Sequence, residues 1–309
     1  MPRSIAMEIL SAIVASHAQR AHRNGPVEER DFEVGDFDRL EVSGPFDVAV
    51  ETGSAPSVRA SGPDWALDNL SIDHDGDRLF IGCNGDVDDV DVVVTVRKLQ
   101  SVRANGSGDV SIDRIKGETF DFSSSGSGDS SIDEIKTDRL ELSGSGSGDI
   151  RIGQVQSRDF DATITGSGDL SIDSIASAEF RLTMNGSGDT AVDEYSGERF
   201  DVTITGSGDL AVETLEAQTI EFQLFGSGDV SVHNGSATDA KFRTSGSGDI
   251  GADGLEIQEA EISVCGSGDI SACVTEHADI AIMGSGDVEV TGGGKWTVRG
   301  GGSGEVRSS

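Results

Sequence analysis

The stretch GSGDLSIDSIASAEFRLTMN, at residues 166–185, is one copy of a repeat that decides the fold. Its first four letters, GSGD, begin at residues 106, 126, 146, 166, 186, 206, 226, 246, 266 and 284, and the variant GSGE begins at residue 302. The first nine copies follow one another at a constant step of twenty residues. Self-similarity at such a period is typical of repeat architectures, in which each unit packs against its neighbours.

Apolar residues fall at fixed positions of the repeat, counted from the first Gly of GSGD. In the copy at residue 166, positions 5, 7, 10, 15, 17 and 19 hold Leu170, Ile172, Ile175, Phe180, Leu182 and Met184. Alternate residues of a strand point to the same face, so positions 5 and 7 share a face, as do positions 15, 17 and 19. The pattern predicts two short strands in each repeat, with a compact turn at each break.

One repeat has too few apolar side chains to enclose a core by itself. Stacked in register, repeats enclose a continuous apolar interior, and their backbones pair with the coils on either side. The sequence therefore predicts an all-β fold, a parallel β-solenoid (β-helix) of coils of about 20 residues with GSGD corners. A run of antiparallel hairpins is one alternative. An outer-membrane barrel is another, although it needs longer strands and aromatic girdles than one Tyr and two Trp supply.

The two glycines of each GSGD predict a sharp corner between position 19 of one repeat and position 5 of the next. Glycine accepts a positive φ and lets two backbones approach closely. Corners that stack on one another need an acceptable residue in every coil. The glycines expected to form this structural turn in the central coils are Gly146, Gly148, Gly166, Gly168, Gly186, Gly188, Gly206 and Gly208.

The aspartates of GSGD form a column: Asp109, Asp129, Asp149, Asp169, Asp189, Asp209, Asp229, Asp249, Asp269 and Asp287. At a coil spacing of about 5 Å, neighbouring carboxylates repel by about 0.8 kcal/mol in water. We expect backbone N–H groups of each turn to bind the carboxylates and offset this repulsion, as in Asx turns. The alternative is a ladder of Ca²⁺ ions, which prefer oxygen ligands, on Asp129, Asp149, Asp169, Asp189, Asp209, Asp229 and Asp249.

The same column offers no defined active site. Carboxylates about 5 Å apart match the separation found in retaining glycosidases, and several sugar-cleaving enzymes are parallel β-helices. An active site is a single place, however, whereas ten equivalent aspartates mark none. We expect no enzymatic activity, no catalytic residues and no cofactor, with a β-helix carbohydrate-active enzyme as the alternative.

Composition restricts the partners of the chain. Its 309 residues carry 56 acidic and 23 basic side chains, for a net charge of −33, which disfavours binding to nucleic acid or anionic lipid. Cys83, Cys265 and Cys273 have no paired spacing, so neither a zinc site nor a disulfide is predicted. Cys265 ends an apolar run and is expected to be a buried free thiol.

The N-terminal segment, residues 1–30, differs from the rest of the chain. It contains the apolar run IAMEILSAIVASHA and leads into a polar linker expected over residues 19–35. The run fits either a degenerate signal peptide or a short capping helix, and it is too short to span a membrane. No transmembrane segment is therefore predicted.

The remaining sequence divides into three parts. Residues 31–104 contain short alternating strands and are predicted to form irregular first coils. Residues 105–290 contain the regular repeat. Residues 291–309 are expected to form a closing coil, in which Trp296 and Val298 cover the last rung and protect it from edge-to-edge assembly.

A family resemblance is carried by FDRLEVSGPFDVAVETGSAPSVRASG at residues 37–62, followed by LSIDHDGDRLFIG at residues 70–82 and by repeated SGSGD. With its opening pattern F-x-x-L-x-V-x-G-x-F-x-V-x-V, the chain resembles the bacterial family called putative auto-transporter adhesin, head GIN domain, over about residues 36–290. The resemblance implies an all-β solenoid located in the cell envelope, outside the cytoplasm. It implies no catalytic or binding residues, because none is established for the family.

These features favour an exported, non-enzymatic structural or adhesive module that presents an acidic surface to a protein or glycan partner. A calcium-stabilised surface protein is a further alternative. The partner and the oligomeric state are left open by the sequence.

Overall fold

A computed structural model of the protein describes residues 26–308. The apolar run expected to be a signal peptide or capping helix lies outside the described residues. The chain divides into two compact units, Met1–Val155 and Gln156–Ser309, called unit 1 and unit 2 below. No helix in the described part is long and apolar enough to cross a membrane.

Unit 1 is almost entirely β-structure, with a single four-residue helix among its described residues. Its elements are β1 (Val27–Phe32), β2 (Arg39–Val42), β3 (Asp47–Thr52), β4 (Ser57–Pro63), α1 (Asp64–Leu67), β5 (Leu70–Asp75), β6 (Arg78–Cys83), β7 (Asp91–Val96), β8 (Ser101–Ala104), β9 (Val110–Lys116), β10 (Thr119–Ser124), β11 (Ser130–Lys136) and β12 (Arg139–Gly144). Strand β13 (Ile150–Ile164) begins in unit 1, and the boundary between the units falls within it.

Pairing in unit 1 is mixed. Parallel pairs connect β7, β3, β9 and β11 in one series, and β6, β2, β8, β10 and β12 in another. Antiparallel pairs join β1 with β4, β4 with β7, and β5 with β6. The expected irregular coils therefore contain antiparallel strands as well as parallel ones.

Unit 2 contains long, regular strands. Its elements after β13 are β14 (Leu170–Met184), β15 (Thr190–Ile204), β16 (Leu210–Leu224), β17 (Val230–Thr244), β18 (Ile250–Val264), β19 (Ile270–Ile282), β20 (Val288–Thr291), β21 (Lys295–Arg299) and β22 (Val306–Ser308). Strands β14 to β19 pair in sequence, all parallel, and Phe180 of β14 lies opposite Phe200 of β15. The predicted parallel β-solenoid with a step of twenty residues is confirmed.

The core consists of the predicted apolar columns. Positions 5, 7, 10, 15, 17 and 19 of the copy at residue 166, from Leu170 to Met184, are all at most 2% exposed. Phenylalanine rings follow one another at position 15, with centroids 4.9 Å apart for Phe160 and Phe180 and 5.0 Å apart for Phe180 and Phe200. Stacked aromatic and aliphatic columns thus supply the apolar burial that a single repeat lacks.

Two local expectations are wrong. The predicted pair of short strands is a single strand of fifteen residues in β14 to β18, because backbone pairing between neighbouring coils continues along most of each strand. The polar linker expected over residues 19–35 includes strand β1, which pairs with β4. Its charges are accommodated at an exposed edge, where Arg30 bonds Asp64 and Asp68 at 2.9 and 3.0 Å.

Candidate binding surface

The GSGD segments lie between successive strands and bring the backbones of neighbouring coils close together. A Cβ placed on Gly186 would lie 1.9 Å from the carbonyl oxygen of Gly166, and one on Gly188 would lie 2.1 Å from that of Gly168. Equivalent contacts of 1.8 to 2.1 Å are found at Gly146, Gly148, Gly206 and Gly208. Any side chain at these positions would collide with the backbone of the preceding coil, so the close approach predicted from glycine is confirmed.

The positive φ expected of these glycines is wrong. Within residues 26–308, the glycines with positive φ are Gly76, Gly235, Gly292, Gly293 and Gly300, and none belongs to a GSGD segment. The space between coils, and not the backbone dihedral, therefore requires glycine in GSGD. The sharp corner itself stays a prediction.

Most GSGD aspartates accept a hydrogen bond from the backbone of the aspartate in the next coil. Oδ1 of Asp189 accepts a hydrogen bond of 2.9 Å from the backbone N–H of Asp209. The carbonyl oxygen of Asp209 accepts one of 2.8 Å from the N–H of Thr190, in the same coil as Asp189. The carboxylate thus binds a backbone N–H as expected, but the donor belongs to the next coil and not to its own turn.

This aspartate ladder extends beyond the predicted column. Oδ1 of Asp47 accepts the N–H of Asp109 at 2.9 Å, and Oδ1 of Asp287 accepts the N–H of Glu305 at 2.9 Å. Bonds of 2.7 to 2.9 Å also join Asp109 to Asp129, Asp129 to Asp149, Asp169 to Asp189, Asp209 to Asp229, Asp229 to Asp249, Asp249 to Asp269 and Asp269 to Asp287. Sequence reasoning missed Asp47 because its segment, SGPFD at residues 43–47, has Phe in place of the second Gly.

Electrostatics along the ladder are a balance between burial and hydrogen bonding. Partial burial is the largest cause of the raised pKa of Asp109, and the nearby carboxylates of Asp47 and Asp129 raise it further. The hydrogen bond from the N–H of Asp129 lowers this pKa. In the described part of the chain, no group of three or more His, Cys, Asp or Glu is arranged to hold a metal ion. A ladder of Ca²⁺ ions on the column stays an untested alternative.

Position 20 of the repeat faces outward, which corrects the expectation for Cys265. This residue is exposed, and it is a free thiol as expected. Its counterparts Phe225 and Met283 are 51% and 65% exposed. An apolar run in the sequence therefore ends one residue beyond the core.

The expected closing coil does not bury its own apolar residues. Trp296 and Val298 lie in register with Ala278 and Ile280 of β19, but they are 38% and 51% exposed. Among residues 26–308, no strand pairs with the edge of β21 that faces away from β19. Strand β21 therefore pairs with the last rung as predicted, but its own apolar side chains are exposed.

A charged groove of about 380 Å³ lies on the outer face of unit 2. Its walls are position 14 of successive coils (Arg199, Thr219, Asp239, Glu259, His277) and position 16 (Asp201, Glu221, Lys241, Glu261, Asp279). Its floor is position 15, where Ile220, Ala240 and Ala260 replace the phenylalanines of earlier coils. The floor of the groove is therefore lined by smaller inward side chains than the phenylalanines of earlier coils, between two columns of charge.

Most charges in the groove are paired. Arg199–Asp201 and Lys241–Glu261 form ion pairs of 2.6 and 3.7 Å, and Nε2 of His277 lies 3.4 Å from Oδ1 of Asp279. The hydrogen bond to Asp201 and the charge of that carboxylate raise the pKa of Arg199. A hydrogen bond from Thr297 is the largest cause of a lowered pKa at Asp279. These side chains form a network of fixed charge along the surface.

Two carboxylates in the groove differ from the rest. Asp239 and Glu259 lie opposite each other on neighbouring strands, and neither has an ion pair or hydrogen-bond partner within residues 26–308. Six acidic and two basic residues line the groove, together with His277. The arrangement can receive a cationic group. The sequence signal for this groove is alanine at position 15 in successive repeats.

Several solved structures are similar to this chain. A crystal structure described as a putative lipid binding protein from Parabacteroides distasonis is 19% identical over 93% of this chain and 98% of its own, with a TM-score of 0.37. A putative adhesin from the same species is 17% identical over 92% and 98%, with a TM-score of 0.38. A putative adhesin from Bacteroides fragilis is 17% identical over 92% and 97%, with a TM-score of 0.29. No protein with a curated description matches the chain.

The sequence also matches a protein family directly. The family described as "Putative auto-transporter adhesin, head GIN domain" matches residues 36–194 and 181–294. The two matches overlap and together span most of the chain. The protein belongs to this family of putative adhesins.

Proposed function

We propose that the chain is an exported, non-enzymatic binding module of the bacterial cell envelope, which holds a cationic group of a protein or glycan in the charged groove. The observation that carries the proposal is the pair of unpartnered carboxylates, Asp239 and Glu259, at the floor edge of an indented surface. Membership of an adhesin-type family supports a location outside the cytoplasm.

Repetition of the acidic residues supports binding over catalysis. Each aspartate of the ladder has the same backbone partner in the next coil, so no one of them is set apart for proton transfer. In the groove, the His277–Asp279 pair is open to solvent, with side chains 42% and 49% exposed. A general acid or base is usually tuned by burial or by a close charge away from water.

The binding part of the proposal is tested with a fluorescent oligolysine peptide as the cationic probe. Asp239→Asn combined with Glu259→Gln is expected to weaken binding by about tenfold or more, since close charges govern specific contacts. The matched control is Asp193→Asn combined with Glu213→Gln, which removes the same charge from position 8, outside the groove. Equal weakening in both variants would show that the probe senses only the net charge and would overturn the groove as the site.

Two further measurements address the rest of the proposal. Protease added to intact cells, or to cells whose outer membrane has been opened, is expected to cleave the chain, and protection until the cytoplasm is released would contradict export. Acidic and neutral polysaccharides incubated with the protein are expected to release no new reducing ends. Release that is abolished by Asp239→Asn or by His277→Ala would make the groove an active site.

A further inference from the structure

Strand β21 presents an unpaired edge together with an apolar face. Trp296 and Val298 occupy core positions, in register with Ala278 and Ile280, which are 0% and 2% exposed. Both are exposed, and β21 pairs with β19 alone in the described part of the chain. An edge of this kind is a template for another strand, whose apolar side chains would complete the core row.

The opposite face of β21 is basic. Lys295 and Arg299 flank Thr297, and Lys295 has no acidic partner within residues 26–308. The remainder of the chain is strongly acidic, with a net charge of −33. Two β21 strands paired antiparallel about Thr297 would place Lys295 against Arg299, which like-charge repulsion opposes. The edge therefore favours an acidic partner strand over its own copy.

Strand β5 has the complementary pattern, and it also pairs on one side alone among the described residues. Leu70 and Ile72 share its core face, since Ile72 lies opposite the buried Ile81. Ser71 and Asp73 lie on the other face, and Asp73 takes part in no ion pair with another of the residues that the structure describes. Apolar and acidic residues thus alternate along an open edge.

Strand β1 also has an open edge, but its residues obstruct pairing. Arg30 occupies a position opposite the buried Ala60, and it is held there by Asp64 and Asp68. An inward-pointing charge on an edge strand is a known protection against further pairing. Among the described strands of unit 1, from residue 26 onward, β5 is therefore the edge that remains open to a partner.

We propose that β5 of a second copy of this chain adds antiparallel to β21, so that copies join through two different edges. The pairing sets apolar against apolar, hydroxyl against hydroxyl and base against acid: Trp296 with Ile72, Val298 with Leu70, Thr297 with Ser71, and Lys295 with Asp73. Such a contact is heterologous, and each copy keeps one edge free for the next. This inference is independent of the proposed function, because no residue of the charged groove takes part.

Sedimentation velocity of the full chain over a range of concentrations tests the proposal. Measurements at physiological ionic strength, where the Debye length is about 8 Å, screen the net repulsion between copies while the contacting charges remain close. The average mass is expected to rise with concentration beyond that of a dimer. Lys295→Asp and Asp73→Lys are each expected to stay monomeric, and the matched control Lys136→Asp is expected to associate like the original chain.

Mixing the two variants gives the sharpest outcome. The Lys295→Asp chain keeps an intact β5 edge and the Asp73→Lys chain keeps an intact β21 edge, so these two edges are expected to pair as in the original chain. The two substituted edges also carry opposite charges at the facing positions, so the mixture is expected to regain association beyond a dimer. A single chain that carries both changes is expected to recover association. Far-UV circular dichroism and melting curves establish that each variant is folded. A monomeric original chain, or an Asp73→Lys variant that associates normally, would overturn the proposal.

Discussion

The regular coils of unit 2 and the N-terminal strands of unit 1 are built from similar residues under different constraints. In β14 to β18, pairing is parallel at a step of twenty, so each residue lies against the same position of the neighbouring coils. In β1 to β7, parallel and antiparallel pairs are mixed, and each residue meets a different kind of neighbour. In the regular coils, the residue type is therefore determined by the column of equivalent positions to which it belongs. In the N-terminal strands, it is determined by contacts that are made only once.

Residues 43–47 show where this difference begins. A Cβ on Gly106 would lie 2.1 Å from the carbonyl oxygen of Gly44, and one on Gly108 would lie 2.0 Å from that of Phe46. Phe46 nonetheless carries a ring, which is 1% exposed, because no GSGD segment precedes it in the chain. Glycine is required only where the backbone of an earlier connection lies against it.

Gly206→Ala is expected to have the largest effect on stability. Its Cβ would lie 1.8 Å from the carbonyl oxygen of Gly186, so the coils must separate and the hydrogen bond from Ser207 N–H to that oxygen, 3.1 Å long, is lost. We expect a loss of more than about 5 kcal/mol in the free energy of unfolding, in the rare tail of single substitutions. Denaturant midpoints measure the change.

The matched control for this change is Gly251→Ala. A Cβ there has no heavy atom nearer than 3.8 Å, and its φ is not positive. We expect a neutral change or a gain of up to about 1 kcal/mol, because alanine reduces the freedom of the unfolded chain. A similar loss in both variants would mean that strand propensity, and not the contact between coils, requires glycine.

Phe200→Ala is expected to have the next largest effect. Its ring is 0% exposed and lies 5.0 Å from Phe180 and 4.8 Å from Tyr195, measured between ring centroids. Truncation leaves a cavity between coils and is expected to cost about 4 kcal/mol. Phe225→Ala, at a position 51% exposed, is the control and should change stability by less than about 0.5 kcal/mol. Comparable losses would contradict the assignment of the core columns.

Asp209→Ala tests the ladder, and a smaller loss is expected. The change leaves the N–H of Asp229, which now donates to Asp209 at 2.8 Å, without this acceptor. We expect a loss of about 1–2 kcal/mol, and less for Asp209→Asn, which keeps an oxygen acceptor. Asp193→Ala removes an exposed carboxylate from position 8 and serves as the control. If both alanine variants melt alike, the ladder contributes no more than a solvated charge.

Columns explain how much could be predicted from the sequence. A residue type repeated every twenty positions predicted the parallel pairing, the buried positions and the need for glycine, because each copy is subject to the same packing constraint. Exposed Cys265 was mistaken for a core residue since position 20 follows the apolar run directly. The positive φ was wrong because two different demands, dihedral freedom and close approach, select the same amino acid.

Features that depend on a contact made once in the chain could not be predicted from the repeat. Strand β1 looks like a polar linker until Arg30 is seen between Asp64 and Asp68. The floor of the charged groove includes Ala240 and Ala260, where earlier coils have phenylalanine, a change of size within an apolar column. Periodicity reports what is kept from coil to coil, whereas the candidate binding surface arises where the pattern changes.

Tyr195 is one such change, and Tyr195→Phe is expected to cost about 1 kcal/mol. It is the single Tyr of the sequence, 1% exposed at a position that is aliphatic in most other repeats, and its hydroxyl lies 2.7 Å from the carbonyl oxygen of Arg199 and 3.0 Å from that of Ser177. One hydroxyl hydrogen serves two carbonyl acceptors. Removing it leaves both without this donor, and denaturant midpoints measure the loss.

Alkaline titration gives a second test at Tyr195. Burial is the largest cause of its raised pKa, so the folded state holds the phenolic proton more tightly than the unfolded state does. Its contribution to stability is complete below the ordinary value of 10.0 and is lost as the pH rises through the folded pKa. Tyrosinate absorbance should therefore appear together with loss of the β-sheet circular dichroism signal. Absorbance that rises near pH 10.0 in a folded chain would contradict this burial.

Calcium is expected to have the smallest effect on thermal stability. In the ladder, one oxygen of each carboxylate is already bound to the backbone N–H of the next coil, as for Asp209 and Asp229. A thermal melt at fixed ionic strength should therefore be the same in EDTA and in millimolar Ca²⁺. A rise of many degrees would mean that the folded state binds the ion, by ordinary linkage. If this rise is lost in Asp209→Asn but retained in Asp193→Asn, the ion lies on the ladder. The repeated aspartate is then a ligand as well as a link between coils.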